Sequence, residues 1–154
     1  MERLKLVIFD MGNTLLNFHS GKHTDEEKDL IGIRNMHEYL LKNHECSIPV
    51  DVLKRDFLDV WYADFYLRKR LIELDVIKYI VPVLESYGVS LNRIEYIKLM
   101  TEFYKVYKEE VVLSRGATEI LAHLNKNGVK IAVASNCILF DEIYIQIFDE
   151  QGIG

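Results

Sequence analysis

The sequence predicts an α/β fold in which a Rossmann-like parallel sheet is interrupted by a long helical insert. Residues 4–9 form an apolar, β-branched run that ends at Asp10, and residues 129–134 form a second run that ends at Ser135. Continuous apolar runs of this length are typical of parallel strands covered on both faces. Between them, apolar residues recur with helical spacing. We therefore expect two strands of a parallel sheet, with about a hundred mostly helical residues between them in the chain.

Length and composition are those of a globular protein. The 154 residues are enough for about one domain, and 49% of them are apolar. The net charge of −5 argues against nucleic acid as a partner, because binding a phosphate backbone needs clustered Lys and Arg. Cys46 and Cys137 have no CxxC spacing, so we expect two reduced thiols. The apolar run before Asp10 is too short for a signal or membrane segment, which predicts a soluble, cytoplasmic protein.

Four amphipathic segments are expected in the insert. The first begins at Thr24, which has Glu27 three residues later, in the spacing of a capping box. Pro49 suits the first turn of the second segment. Pro82 would either kink the third segment or mark its true start. The four segments span about residues 24–43, 49–65, 77–87 and 92–107.

Two further helices are predicted on either side of the second apolar run. Residues 116–127 form an amphipathic segment that ends at Gly128, just before that run. Residues 140–151 form the last helical segment.

This organisation predicts a sheet region formed by residues 1–15 and 112–154, with residues 16–111 as the helical insert. In an open parallel sheet, ligands bind in the crevice at the carboxyl ends of the strands. Asp10 and Ser135 follow the two predicted strands directly. We therefore expect both side chains to face one crevice.

Two motifs in this arrangement resemble those of the haloacid dehalogenase superfamily. The stretch FDMGNTL, residues 9–15, precedes the insert, and RGATEILAHLNKNGVKIAVASN, residues 115–136, follows it. Asp10 and Thr14 match the first family motif at the correct separation, and the SN pair that ends the second stretch matches the second motif. The resemblance covers essentially the whole chain, with the insert in the place of that family's helical cap. Members of the family are mostly phosphatases, with a minority of dehalogenases and phosphonatases.

The resemblance implies an enzyme, a hydrolase in which Asp10 is the nucleophile and forms an aspartyl intermediate. It assigns Ser135 and Asn136 to catalysis as well. Asn13 and Thr14 are implied as substrate-binding residues. The expected substrate is a small phosphorylated metabolite, which makes the expected activity that of a phosphatase.

The same resemblance implies Mg²⁺ as the cofactor, held by Asp10 and by the backbone carbonyl of Gly12. That carbonyl contact needs no side chain. From the residues alone, Asp10 could instead cap the strand end through an Asx-turn to Gly12 or Asn13.

Gly12 departs from the phosphatases of the family, which usually have a second Asp two residues after the nucleophile. Glycine cannot protonate a leaving group, and the family's dehalogenases also lack this acid. A 2-haloacid dehalogenase-like hydrolase is therefore an alternative function. The dehalogenases of the family use an arginine from the cap to hold the substrate carboxylate, and the resemblance makes Arg34 the candidate by its order along the chain. On a helix surface, however, such an arginine is more often a solvated charge.

The sequence up to Gly154 contains no match to the later motifs of the family, a Lys and an acidic pair. We therefore expect a sheet that is incomplete towards its C-terminus, in a chain that is a piece of a longer protein or is inactive alone. Residues 4–9 would then present an apolar strand edge that could pair with a second copy. A non-catalytic binding or oligomerisation module is the remaining alternative.

Overall fold

The computed structural model describes residues 4–69, 72–136 and 140–154 of the chain. Its strands are β1 (Leu6–Phe9), β2 (Leu16–Asn17), β3 (Val112–Leu113) and β4 (Lys130–Val133). Its helices are α1 (Asp25–His44), α2 (Val50–Val52), a π-helical stretch (Leu53–Leu58), α3 (Asp59–Leu67), α4 (Ile77–Ser86), α5 (Arg93–Glu110), α6 (Ala117–Lys126) and α7 (Asp141–Glu150). The chain is thus an α/β protein, rich in helix, with a small parallel sheet, as the sequence predicts.

The two predicted strands pair with each other in parallel. Leu6 lies opposite Lys130 and Phe9 lies opposite Val133 in β4. The pairing continues past the strand ends, because the backbone N–H of Ala134 donates to the carbonyl of Phe9 at 2.9 Å. Both strands therefore end at the same edge of the sheet.

A second, antiparallel pair stands where the chain enters and leaves the insert. In this pair, Leu16 of β2 lies opposite Leu113 of β3, and Asn17 lies opposite Val112. The sequence did not reveal this two-residue ribbon, because so short a pairing leaves no hydrophobic alternation to detect. The predicted division of the chain into residues 1–15 and 112–154 and residues 16–111 stays a prediction.

The helices of the insert begin at capping residues. Thr24 and Glu27 form the expected capping box at the start of α1, and Asn92 with Glu95 forms a second one at the start of α5. Each box satisfies two backbone N–H groups that a helix start would otherwise leave unpaired.

The second predicted helix is continuous from α2 to α3 but contains the π-helical stretch, in which the N–H of Asp59 reaches back to the carbonyl of Lys54. Pro82 lies inside α4 and does not mark the start of that helix.

The main hydrophobic core lies within the insert, where α1 packs closely on α5. Gly32 makes this approach possible, because a Cβ atom there would lie 2.4 Å from the carbonyl oxygen of Phe103. Buried residues of α7, including Ile143 and Ile147, belong to the same apolar cluster. Cys46 is buried as a free thiol, and Cys137 lies outside the described residues. Within the described ranges, no helix has both the length and the apolar character that a membrane crossing requires.

The expectation that both strands are covered on both faces is wrong for the described residues. The side chains of Leu6 and Ile8 in β1 are 46% and 60% exposed, and those of Ile131 and Val133 in β4 are also exposed. The reason is that β1 and β4 pair only with each other in the described part of the chain. A two-stranded sheet offers too little area for helices to cover both of its faces.

We expect the exposed strand β1 to drive self-association, since an unpaired apolar edge is a template for another chain. Ile8→Lys places a charge on that strand and should shift the protein towards the monomer. Sedimentation equilibrium at several protein concentrations measures the shift. Ile94→Lys is the control, because Ile94 is 64% exposed on α5. Equal association of the wild type and Ile8→Lys would contradict the expectation.

Candidate active site

A tight turn directly after β1 places the first motif at the edge of the sheet. The carbonyl of Met11 accepts hydrogen bonds from the backbone N–H groups of Thr14, Leu15 and Leu16 at 3.3, 2.9 and 3.0 Å. Asn13 adopts φ 57°, a left-handed conformation that asparagine tolerates better than most residues. The Gly-Asn-Thr sequence thus lets the chain reverse immediately beyond Asp10.

Asp10 is exposed at the end of β1, and within the described residues its carboxylate makes no hydrogen bond or ion pair. The Asx-turn alternative is not seen at Asn13, whose N–H donates to the carbonyl of Leu16 at 2.7 Å. The side chain at position 10 is therefore not used to hold the turn. It is available for a ligand.

Ser135 and Asn136 follow β4 at the same edge of the sheet. The register places Asp10 level with Ala134, one residue before Ser135. Neighbouring strands lie about 4.8 Å apart. The structure therefore brings together the ends of the two motifs, which are more than a hundred residues apart in the sequence.

A pocket of about 410 Å³ lies between these strand ends and the helical insert. Gly12, Ser135 and Asn136 line its side nearest the sheet. The insert contributes mainly aromatic walls, among them Trp61 and Tyr62. Small-molecule sites are typically concave and mostly apolar, with a few convergent polar groups, and this pocket has that character.

The remaining predicted site residues lie outside the pocket lining. Asp10 is two residues from Gly12 in the chain but is not itself part of the lining, and Asn13 and Thr14 are exposed on the turn. Arg34 is exposed on α1 and does not line the pocket. Arg68 lines it instead, with its guanidinium 4.2 Å from the ring centroid of Phe65.

Asp29 is a pocket residue that the sequence analysis did not identify. Its side chain is 6% exposed, and its carboxyl oxygens accept hydrogen bonds from the hydroxyls of Tyr62 at 2.6 Å and Tyr107 at 2.9 Å. Burial raises the pKa of Asp29, and the two tyrosine hydrogen bonds only partly oppose this. Burial also raises the pKa values of Tyr62 and Tyr107, so that both hydroxyls stay protonated.

The sequence did contain a signal for Asp29. It precedes the buried residues Ile33, Met36 and Leu40 at spacings of four, seven and eleven, so it lies on the apolar face of α1. An acid on that face has to find partners in the interior. Tyr62 and Tyr107 are those partners, and they come from two other helices, α3 and α5.

Lys28, the neighbour of Asp29 in α1, is also buried, and its Nζ atom lies 5.2 Å from the ring centroid of Tyr107. Its hydrogen-bond and ion-pair partners differ from those of Asp29. Its Nζ atom donates to the carbonyl of Phe18 at 2.7 Å and lies 3.6 Å from a carboxylate oxygen of Glu110. Glu110 in turn contacts Nδ1 of His23 at 2.6 Å. This cluster joins the first connection of the insert to the end of α5, beside the antiparallel ribbon.

The fit of Mg²⁺ depends on oxygen donors near the turn. Asp10 and the carbonyl of Gly12 are donors of the hard type that Mg²⁺ prefers, with the remaining positions left to water and a substrate phosphate. No group of three or more His, Cys, Asp or Glu side chains suited to a metal is present in residues 4–69, 72–136 and 140–154.

The chain is similar to solved structures of haloacid dehalogenase-type proteins. One is a dehalogenase, with 17% sequence identity and a TM-score of 0.41. The match covers 99% of this chain and 59% of the dehalogenase chain. Another, described as a HAD hydrolase and named YfnB, from Bacillus subtilis, was solved bound to magnesium. It has 14% sequence identity and a TM-score of 0.43, and the match covers 99% of this chain and 60% of the YfnB chain.

A third is a haloacid dehalogenase-like protein of unknown function from Agrobacterium tumefaciens. It has 14% identity and a TM-score of 0.36, with 98% of this chain and 55% of its own covered. The chain therefore spans less than two thirds of the length of each of these structures. No protein-family model and no curated protein matches the sequence.

The raised pKa of Asp29 predicts a pH dependence of stability. The folded protein keeps the Asp29 proton to higher pH than the unfolded chain does. The stability from protonated Asp29 is therefore complete below the unfolded pKa and is lost as the pH rises through the folded pKa. Asp29→Asn cannot titrate, so it should gain stability relative to the wild type as the pH is raised above about 4, the ordinary pKa of an aspartate.

Urea unfolding across that pH range measures the difference between the two proteins. Asp51→Asn is the control, because it makes the same chemical change at an exposed aspartate of α2, away from the pocket. A pH profile for Asp29→Asn that is no different from that of the control would show that Asp29 does not titrate differently in the folded protein.

Proposed function

We propose that this chain carries the nucleophile and part of the substrate pocket of a hydrolase that acts on small phosphate esters. One observation above all supports this proposal. Asp10 and the Ser135–Asn136 pair follow two directly paired parallel strands at the same edge, beside the pocket beneath the insert. This is where α/β sheets bind their ligands.

In the proposed reaction, a carboxylate oxygen of Asp10 attacks the phosphorus atom, and the bond from phosphorus to the ester oxygen breaks. Water then attacks the phosphorus of the aspartyl phosphate, which releases phosphate and restores the carboxylate. The hydroxyl of Ser135 and the amide of Asn136 would donate hydrogen bonds to the phosphoryl oxygens, where negative charge develops. A bound Mg²⁺ would contribute neutralisation of phosphate charge.

Gly12 limits which esters this site can cleave. It has no side chain, so the leaving oxygen has to take its proton from water rather than from an acid two residues after the nucleophile. An aryl phosphate leaves as a stabilised phenolate and needs that proton least. We therefore expect aryl phosphates to be better substrates than alkyl phosphates.

A 2-haloacid dehalogenase is the second candidate, and two features favour it. Gly12 supplies no general acid, and a departing halide does not need one. The pocket walls are also largely aromatic. Asp10 would attack carbon, and water would then cleave the ester at the carbonyl carbon of Asp10. Turnover in ¹⁸O-water would put label into Asp10 in that reaction but into the released phosphate in a phosphatase. Mass spectrometry of the Asp10 peptide separates the two reactions.

Removal of the nucleophile is the direct test of the proposed function. Asp10→Asn keeps the size of the side chain but removes its charge and nucleophilicity. The rate of aryl phosphate hydrolysis with added Mg²⁺ should fall by at least about 1,000-fold. Circular dichroism establishes that the variant is folded. Hydrolysis that survives Asp10→Asn would rule out this mechanism, and a folded wild type without hydrolysis or dehalogenation would favour a non-catalytic binding module.

Gly12→Asp tests the interpretation of the missing acid. A Cβ atom at Gly12 would meet no other atom within 4 Å, so the substitution has room. The new carboxyl can protonate a leaving alkoxide, so hydrolysis of alkyl phosphates should rise by about tenfold or more, with a much smaller effect on aryl phosphates. Gly12→Asn is the control of equal size without an ionisable proton. An equal effect of both substitutions on alkyl phosphates would contradict proton donation.

A further inference from the structure

Asp29 is a buried carboxyl group that lines the pocket without a cationic partner. Within the described residues it forms hydrogen bonds with Tyr62 and Tyr107 but no ion pair with Lys, Arg or His. A carboxylate can accept about four hydrogen bonds. The two tyrosines therefore orient the group without saturating it or balancing its charge.

Three basic side chains lie beside Asp29 in the chain or in the pocket lining, and each contacts another group. Lys28 is held by the carbonyl of Phe18 and by Glu110. His19 pairs with Asp25 at 3.0 Å, and Arg68 is partly exposed and lies over the ring of Phe65. The charges that act on Asp29 from its own helix, those of Asp25 and Glu26, are also negative. The local field around Asp29 thus favours the arrival of a positive charge.

The walls around Asp29 strengthen such an interaction and keep its geometry fixed. Tyr62 stacks on Trp61 with ring centroids 5.6 Å apart, and Tyr107 stacks on Tyr104 at 4.7 Å. These stacks hold the two hydroxyls that orient the carboxyl group. Aromatic walls also exclude water, and electrostatic attraction is stronger where water is excluded. The surroundings are favourable for a cation for a second reason, because aromatic rings attract positive charge.

We propose that this pocket binds the ammonium group of a small amine-bearing phosphate ester, with Asp29 as the residue that pairs with the ammonium charge. The position of the phosphate end rests on the proposed function, since Gly12, Ser135 and Asn136 line the same pocket as Asp29. The ammonium site itself needs only Asp29 and its surroundings. The pocket therefore selects phosphate esters by a positive charge at the end remote from the phosphate.

Trp61 gives a direct measurement of binding, because it is the single tryptophan of the chain and lines the pocket. Its fluorescence is titrated with 2-aminoethyl phosphate and with n-propyl phosphate, which has a methyl group in place of the ammonium. The wild type should bind the amine at least about tenfold more tightly. In Asp29→Asn this preference should fall below about twofold, and in Asp51→Asn it should be unchanged.

Equal binding of the two esters by the wild type would overturn the proposal, and so would a preference that persists in Asp29→Asn. Asp10→Asn separates this result from the proposed function. It should abolish hydrolysis and leave the preference for the amine intact. Loss of hydrolysis without any preference for the amine would refute the ammonium site alone. A preference for the amine without Asp10-dependent hydrolysis would refute the proposed function alone.

A second measurement covers the case in which Asp29→Asn does not fold. Choline carries a fixed positive charge and no phosphate, so its own charge does not change with pH. Its affinity for the wild type should rise as the pH is raised from about 4 to about 8, because Asp29 becomes ionised. The groups that face or act on Asp29 are Tyr62 from α3, Tyr107 from α5, and Asp25 and Glu26 from α1. The lining of the same pocket also contains two basic side chains, those of His19 and Arg68. An affinity for choline that is independent of pH would overturn the proposal.

Discussion

The parallel register between β1 and β4 is the constraint on which the candidate site depends. Because Phe9 lies opposite Val133, the two strands stop together, and the turn after one meets the loop after the other. A shift of one residue would exchange the faces of every side chain along β4. The backbone hydrogen bond from Ala134 to Phe9 continues the register up to the site itself. The positions of Asp10, Ser135 and Asn136 relative to one another follow from that alignment.

The base of the insert shows how two adjacent buried charges of opposite sign can have different roles. Lys28 contacts the carbonyl of Phe18 and the carboxylate of Glu110, so its contacts join the two ends of the insert. Asp29 is oriented by tyrosines and faces the pocket. Neighbouring residues on a helix point about 100° apart, so they reach different surroundings. Lys28 thus contributes to the fold, and Asp29 is the residue that we propose pairs with a ligand cation.

The distribution of apolar burial is uneven between the insert and the sheet. Helices α1, α5 and α7 contribute to one large cluster, whereas the strands keep several apolar side chains exposed. The longer helices and the strands β1 and β4 were predictable in both regions, because periodicity and capping residues act locally. Burial was not, because it depends on which elements cover a strand. The sequence of β1 is that of a buried strand, and only the assembled fold shows that its Leu6 and Ile8 side chains are exposed.

The sequence by itself determined the α/β class, the order of the helices and the two polar strand ends, since each depends on residues that are close together in the chain. Only the tertiary structure decided that Asp10 lies at the same edge as Ser135, that Arg68 rather than Arg34 lines the pocket, and that Asp29 meets Tyr62 and Tyr107. These contacts join residues from distant elements. Spacing within one helix specifies a face, but the partners of that face are set by how helices pack.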